Sequence, residues 1–287
     1  MPEISVVIPT YNHAHCLGRA VDSVMAQDFR DFEVLVVDAA STDATPEVMA
    51  ERSAPNLRYL RLPERVNLPE GRNVGIQASS GRYIALLDSD DAWRPSKLSL
   101  QRELFAASGP EVGMVYTLIS VVSQTSGAEY FPKLPRLQNP LLPQLLENNV
   151  LIGAPSSALI RRDCLEAVGL FDPKMWSCED WELWVRLAQR YEVRLLPEAM
   201  TVRYDYASGM SAKPGVLRDG RALILEKHLE LYGKYPSVMA QSLYILGLQS
   251  RKLGEQDAAR GYFLRAFRAA VPNAPVRALK SLVRACC

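Results

Sequence analysis

The sequence predicts an α/β protein with a mostly parallel sheet flanked by helices and a helical C-terminal region. Over about the first hundred residues, short aliphatic runs alternate with helical stretches, which is typical of a parallel sheet with right-handed crossovers. The runs at 4–8 and 34–37 are continuous, as expected of strands covered on both faces. From about Val216 onward, alanine, leucine and arginine recur with helical periodicity, so this region is predicted to be an α-helical appendage.

Strands and helices alternate in order along the first part of the chain. Apolar runs predict strands at 4–8, 34–37, 57–62 and 83–87. Apolar residues at helical spacing predict helices over 16–27, from Gly71 to about residue 79, and over 96–107 after Pro95. Three of the strands end in polar residues at the carboxyl edge of the sheet, where open parallel sheets bind their ligands.

The second part of the chain mixes extended and helical segments. Strands are predicted at 112–122, 157–160, 193–196 and 200–204, a turn or helix at 163–168, and a helix at 181–190. The proline-rich stretch 132–143 is predicted to be a surface connection. In the C-terminal region, the apolar spacing resembles one tetratricopeptide hairpin, and such a unit cannot bury its apolar face alone.

Composition and charge exclude several classes of protein. The chain is 48% hydrophobic and 23% charged, with a net charge of +1, so no global field favours nucleic acid as a partner. No apolar stretch reaches the roughly 18 residues that cross a bilayer, and the amino terminus lacks the pattern of a signal peptide. The five cysteines lack metal-ligand spacing. We therefore expect a cytoplasmic protein with reduced thiols.

The C-terminal segment 233–287 is locally basic. It has nine Lys or Arg and two acids, Glu255 and Asp257. Two interpretations stay open: peripheral contact of the basic helices with the inner face of the membrane or an acidic partner, and a solvated helix face.

Two acidic segments carry the strongest functional signal. The first, Asp-Ser-Asp-Asp at 88–91, directly follows an apolar run. Buried carboxylates need compensation, and two aspartates one residue apart can share Mg²⁺ or Mn²⁺ through their oxygens. The second, Glu-Asp at 179–180, opens a predicted helix that can fix a carboxylate as a base. Together they indicate chemistry on a phosphate-bearing donor.

Further polar residues follow the predicted strands. Thr10 and Tyr11 offer a hydroxyl and a flat face for a base, although a tight turn before a helix explains them equally simply. For Asp38, contact with a ligand is favoured over a purely local role. Arg72 suits a phosphate, and a surface ion pair stays equally open. The three histidines have no spacing that indicates a site, so a structural role is expected for each.

These pieces, in this order, resemble family 2 glycosyltransferases with the GT-A fold. The resemblance covers about residues 3–212 and rests on five segments: Pro9-Thr10-Tyr11-Asn12, Val37-Asp38 with Ser41-Thr42-Asp43, Gly71-Arg72-Asn73-Val74-Gly75, Leu87-Asp88-Ser89-Asp90-Asp91 and Glu179-Asp180-Trp181-Glu182-Leu183-Trp184. It implies a transferase domain at 1–215, with a nucleotide-binding half at 1–110 and an acceptor half at 111–215, followed by the helical region 216–287.

The resemblance also implies a reaction. A sugar would move with inversion from a nucleoside diphosphate, with uridine expected, to a hydroxyl of a glycan or lipid-linked acceptor in cell-surface polysaccharide synthesis. Asp90 would bind Mg²⁺ or Mn²⁺, and Asp180 would be the general base. The nucleotide would contact Thr10, Tyr11, Asp38, Arg72 and Asp88. The acceptor or the diphosphate would contact Trp176, Glu179 and Tyr206.

Two positions depart from the family pattern. Ala39 stands where many members have a second acid, and Tyr206 stands where many have a histidine. These departures keep open a catalytically inactive scaffold or binding module. A nucleotidyltransferase is a weaker alternative, because the first strand is not followed by the glycine-rich basic loop that such enzymes use.

Overall fold

The computed structural model describes residues 1–133, 135, 137–151, 153, 155–205 and 214–270. The chain divides into two compact units, each assembled from separate segments. The first comprises Met1–Pro135, Leu151–Trp176 and Arg186–Tyr206, and the second comprises Arg136–Val150, Ser177–Val185 and Ala207–Cys287. Among the described residues, no helix has both the length and the apolar character needed to span a membrane.

The first unit is built on one mixed sheet. Its strands are Ile4–Thr10 (β1), Phe32–Asp38 (β2), Leu57–Arg61 (β3), Tyr83–Leu86 (β4), Ala92–Trp93 (β5), Val112–Ser123 (β6), Glu129–Tyr130 (β7), Ala158–Arg161 (β8) and Glu192–Asp205 (β9). The strand order is β3-β2-β1-β4-β8-β6-β9-β5, with β7 paired to β6. Strands β1 to β4 are parallel, and β8 runs antiparallel between β4 and β6.

Helices cover this sheet. They are Ala14–Met25 (α1), Thr45–Ala50 (α2), Leu68–Ala78 (α3), Lys97–Ala106 (α4) and Arg162–Val168 (α6). The core between helices and sheet contains the completely buried Ile4, Leu17 and Val34. Burial of a side chain of this size contributes about 1.5–3 kcal/mol. The predicted α/β class and the parallel order of the first strands are confirmed.

The close approach of α3 to the sheet depends on a glycine. A Cβ at Gly75 would lie 2.4 Å from Cγ1 of Val7 and 3.0 Å from Cγ2 of Val37. Only a residue without a side chain therefore fits between this helix and strands β1 and β2.

Three local predictions differ from the structure. Helix α3 begins at Leu68, before the predicted start at Gly71, because Asn67 and Glu70 form a reciprocal capping box. The stretch 132–143, predicted as a surface connection, ends inside a helix, because its last two residues begin Leu142–Glu147 (α5). The two extended segments near residue 200 form the single strand β9, whose register against β6 shifts near Leu118.

The second unit is helical. Besides α5 and the start of Glu179–Ala188 (α7), its helices are Pro214–Lys227 (α8), Leu229–Gly233 (α9), Pro236–Lys252 (α10) and Gln256–Ala270 (α11). Helices α10 and α11 form the predicted hairpin, in which a Cβ at Gly247 would lie 2.5 Å from the Phe263 ring. The C-terminal helical region is thus confirmed, whereas the predicted tail helix around 276–283 lies outside the described residues.

Candidate functional site

The carboxyl ends of β1, β2 and β4 place the predicted nucleotide residues on one edge of the sheet. Thr10 is in register with Asp38 across β1 and β2, and the acidic segment at 88–91 follows β4, the other neighbour of β1. The edge arises because the three strands are parallel, so that their last residues meet. The first unit thereby brings together Thr10, Tyr11, Asp38, Arg72, Asp88 and Asp90.

Thr10 carries an unsatisfied hydroxyl at this edge. The residue is buried, and its Oγ1 has no hydrogen-bond partner within the described part of the chain. A buried polar atom without a partner costs about 1–3 kcal/mol, so this hydroxyl is suited to a ligand. Next to it, the guanidinium of Arg65 lies 4.3 Å from the centre of the Tyr11 ring, so a cation already occupies one face of that ring.

Asp38 is completely buried and heavily hydrogen-bonded. Its Oδ1 accepts hydrogen bonds from the backbone N–H of Ser41 at 2.9 Å and from the Ser41 hydroxyl at 2.5 Å. Its Oδ2 accepts a hydrogen bond from the Tyr59 hydroxyl at 2.5 Å, and Arg61 lies 3.9 Å away. Burial, followed by the hydrogen bond to Asp38, raises the pKa of Tyr59. The carboxylate therefore anchors the loop after β2, and its contact with a nucleotide stays a prediction.

Arg72 forms an ion pair with Asp88. Its Nη2 donates to Oδ1 of Asp88 at 2.7 Å, and the guanidinium is almost completely buried against the ring of Phe171. Asp88 retains 29% of its side-chain exposure. The predicted surface ion pair is therefore a pair that is buried on the arginine side, and contact of Arg72 with a phosphate stays a prediction.

The acidic segment concentrates negative charge. Burial, and then the charge of Asp88, raises the pKa of Asp90. Asp91 is more deeply buried, and burial followed by Asp88 and Asp90 raises its pKa well above the usual range. Arg203 lies 3.9 Å from Asp91, which offsets only part of this charge. A cation bound beside these carboxylates would remove much of the repulsion.

Two residues that the sequence did not single out hold the acidic segment in place. The hydroxyl of Ser156 accepts a hydrogen bond from the backbone N–H of Asp88 at 3.0 Å. The same side chain also forms a hydrogen bond with the carboxyl group of Asp91. Nη2 of Arg19 on α1 donates to the carbonyl of Asp90 at 3.0 Å. Neither residue belongs to a recognisable motif, because both contacts depend on tertiary structure.

His13 also contacts the acidic segment, which its expected structural role did not anticipate. Its Nδ1 lies 2.6 Å from the Ser89 hydroxyl, and its electrostatic interaction favours the ionised form of Asp90. The sequence signal was its position immediately after Asn12, at the end of the first strand.

Most of the other predicted residues lie at or just before the start of α7. In the second unit, Asp180 lies in the first turn of α7, where its Oδ1 accepts the N–H of Trp181 at 2.7 Å, and Glu179 is largely buried. In the first unit, Trp176 is 51% exposed, and its contact with an acceptor or diphosphate stays a prediction. Tyr206 lies outside the described residues.

The start of α7 is well supported within the second unit. Trp181 is completely buried, and its Nε1 donates to the carbonyl of Leu145 at 2.6 Å. The completely buried Glu182 accepts from Lys227 and His228 at 3.0 and 2.9 Å. The helix turn that carries Asp180 is therefore fixed by buried contacts on its other faces.

A parallel sheet edge with a buried arginine and an acidic segment, within a mixed α/β fold, defines the GT-A class. Residues 5–169 match Glycosyl transferase family 2, and the chain belongs to this family. The match ends before Glu179 and Asp180, so it does not include the second acidic segment.

Curated relatives agree with this family. The chain is 36% identical to the succinoglycan biosynthesis protein ExoO of Rhizobium meliloti over 53% of this chain and 44% of the relative. It is 30% identical to the uncharacterized protein MT1568 of Mycobacterium tuberculosis over 72% of this chain and 68% of the relative. The first relatives are matched over only about half their length, between 44% and 58%.

Solved structures show the same fold. The TarS fragment of S. aureus in complex with UDP-GlcNAc matches with a TM-score of 0.73, covering 99% of this chain and 88% of that one. At 19% sequence identity, this likeness establishes the fold and leaves the chemistry to the residues of the site.

Proposed function

We propose that this protein transfers a sugar, with inversion, from a nucleoside diphosphate sugar to a hydroxyl of a glycan or lipid-linked acceptor in cell-surface polysaccharide synthesis. The observation that carries the proposal is the convergence of Thr10, Arg72 and the acidic segment on one sheet edge of a family 2 chain. Relatives named for succinoglycan and teichuronic acid biosynthesis support the polysaccharide class.

A uridine nucleotide is the proposed carrier. The TarS relative binds UDP-GlcNAc, and a matched Escherichia coli relative is described as a UDP-Glc-dependent glucosyltransferase. In this chain, the unsatisfied hydroxyl of Thr10 and the ring of Tyr11 are proposed to hold the nucleoside. Arg72 is proposed to lie next to the diphosphate, and Asp88 next to the ribose.

Mg²⁺ or Mn²⁺ is the proposed cofactor, with Asp90 as its ligand. The donor set fits, because carboxylate oxygens at a charge-dense edge suit a hard cation. In the described part of the chain, no three His, Cys, Asp or Glu side chains converge on a metal-sized site. The protein would thus supply part of the coordination shell and the donor phosphates the rest, as is common for Mg²⁺. When bound, the cation neutralises charge on the departing diphosphate.

Asp180 is the proposed general base. As the acceptor oxygen attacks the anomeric carbon, the bond from that carbon to the diphosphate breaks, and a carboxylate takes the hydroxyl proton. No covalent intermediate is required. The glycosylated acceptor and the nucleoside diphosphate then leave, and Asp180 loses its proton to solvent before the next cycle.

Thermal denaturation with UDP, GDP, dTDP and CDP, each with and without Mn²⁺, tests the donor site. A ligand at about 100 times its dissociation constant stabilises the folded state by about 2.7 kcal/mol. We expect a metal-dependent shift with UDP that disappears in Asp90→Ala and persists in Asp31→Ala, an exposed acid before β2. No shift with any nucleotide would favour a scaffold, and pyrophosphate release from a nucleoside triphosphate would favour a nucleotidyltransferase.

Asp180→Asn tests the base. Removal of a general base lowers the rate by about 10²–10⁴-fold. The rate of nucleoside diphosphate release, measured with a mixture of glycan and lipid-linked acceptors, should fall by that factor. Affinity for UDP should stay close to the wild-type value. Glu166→Gln, a change at a carboxylate whose side chain is 61% exposed, should transfer normally. Near wild-type transfer by Asp180→Asn would refute the assignment.

A further inference from the structure

The loop after β1 and the acidic segment are joined by one side-chain contact. Nδ1 of His13 lies 2.6 Å from the hydroxyl of Ser89, and Ser89 itself is buried between Asp88 and Asp90 in the chain. A second link runs from Arg19 on α1 to the carbonyl of Asp90. The imidazole is therefore held against the acidic segment, next to the proposed metal ligand Asp90 in the chain.

The backbone on both sides of His13 is fixed. Asn12 has a φ of 54°, a left-handed conformation that a non-glycine residue adopts only when its surroundings hold it there. Its N–H donates to the hydroxyl of Ser41 at 2.9 Å. On the other side, the N–H of Ala14 donates to Oδ2 of Asp43 at 3.0 Å. These contacts place the histidine with little freedom to relax.

The ring is only partly buried and has two distinct nitrogens. Since Nδ1 is engaged by Ser89, Nε2 is the nitrogen through which His13 can meet a ligand. A hydrogen bond at Nδ1 also sets the tautomer and orientation of the ring, as in other imidazole sites. A residue needed only to tie two loops together would not require the second nitrogen.

We propose that His13 is a donor-binding residue, whose Nε2 donates a hydrogen bond to the diphosphate of the nucleotide sugar while Ser89 orients the ring. This inference rests on the proposed function, since it requires a nucleoside diphosphate at this edge. The alternative is a purely structural link, in which His13 serves only to fasten the β1 loop to the acidic segment.

His13→Asn and His13→Gln separate these two roles. The amide of asparagine reaches about as far as Nδ1 and can keep the Ser89 contact, whereas the amide of glutamine reaches about as far as Nε2. We expect His13→Asn to weaken UDP binding at fixed Mn²⁺ by about tenfold or more, the loss of one hydrogen bond to a charged group. His13→Gln should retain most of the affinity. Titration calorimetry measures both.

Uridine provides the internal control, because it lacks the phosphates. Its affinity should be the same in wild type and His13→Asn, so the advantage of UDP over uridine should shrink by about the same tenfold. Equal UDP affinity in all three proteins, or an equal loss of uridine and UDP binding in both variants, would overturn the proposal. If His13→Asn does not fold, His13→Ala with added imidazole replaces it, and recovery of UDP affinity is then the expected result.

The two hypotheses fail in different ways. If wild-type protein binds no nucleoside diphosphate, the proposed function is wrong and the role of His13 falls with it. If wild type binds UDP in a manner that depends on Asp90, and His13→Asn binds it equally well, only the role of His13 is wrong.

Discussion

Tyr59→Phe tests whether Asp38 is an anchor whose charge is satisfied inside the protein. The substitution removes one hydroxyl and leaves the ring in place. Asp38 has no exposed surface, and its carboxylate accepts three hydrogen bonds. The Tyr59 hydroxyl supplies the only one of them to Oδ2 within the described residues. Loss of this donor therefore removes the hydrogen bond to Oδ2, and water does not reach the buried carboxylate to replace it.

The expected cost follows from the charge of the acceptor. Hydrogen bonds to charged groups contribute about 1.5–3 kcal/mol, compared with about 1 kcal/mol for neutral pairs. Arg61 lies 3.9 Å from Oδ2 and is half exposed, so it offsets part of the loss. We expect a decrease in the free energy of unfolding of about 2 kcal/mol, and a decrease in melting temperature of about 4–8 °C for a unit of this size.

Urea denaturation followed by circular dichroism measures this difference. Tyr130→Phe is the matched control, because Tyr130 is 49% exposed, and its change should be within about 0.5 kcal/mol of zero. A Tyr59→Phe protein as stable as the control would show that Asp38 is hydrated or relieved by another group. The anchoring role, and the interpretation of its burial, would then be refuted.

Two other substitutions test the packing and charge of the first unit. A Cβ at Gly81 would lie 2.6 Å from the backbone nitrogen of Ser5, so Gly81→Ala should yield little folded protein by gel filtration, whereas Gly233→Ala, with open space around it, should fold normally. Burial lowers the pKa of Lys97. Between this lowered pKa and the unfolded value of about 10.4, the folded state binds fewer protons than the unfolded state. Wild-type stability should therefore rise with pH in this range. The melting-temperature difference of Lys97→Met minus wild type should therefore decrease from pH 7 to pH 9.5, and a constant difference would contradict a lowered pKa of Lys97.

The central strands of the sheet could be predicted, because a strand buried on both faces has a continuous apolar sequence. The runs at 4–8 and 34–37 have no polar alternation, and they form the central strands β1 and β2. The two-residue strands β5 and β7 have no such run. Their pairing with β9 and β6 depends on residues outside the strands themselves. The start of α3 could have been read from the capping box of Asn67 and Glu70, which precedes the predicted start at Gly71.

The site was predictable in its position and less so in its contacts. Parallel strands bring Thr10, Asp38 and the acidic segment to one edge, and this follows from the backbone order alone, independently of side-chain contacts. Which carboxylate is already satisfied depends on partners far away in sequence, such as Tyr59 for Asp38 and Ser156 for the backbone of Asp88. The same limit hid His13, since the serine that it contacts lies 76 positions further along the chain.

Asp38 and Asp88 show how two carboxylates with the same sequence signal acquire different uses. Both follow a parallel strand at the same edge of the sheet, yet Asp38 is completely buried, whereas Asp88 keeps 29% of its side chain exposed. A carboxylate has about four acceptor positions, and three at Asp38 are taken by Ser41 and Tyr59, while the side chain of Asp88 is engaged by Arg72. A ligand gains most from an acceptor that the protein leaves accessible, because it need not first break an internal hydrogen bond. On this ground the proposed donor site is centred on Asp88, Asp90 and the loop that carries His13, with Asp38 holding the neighbouring loop in place.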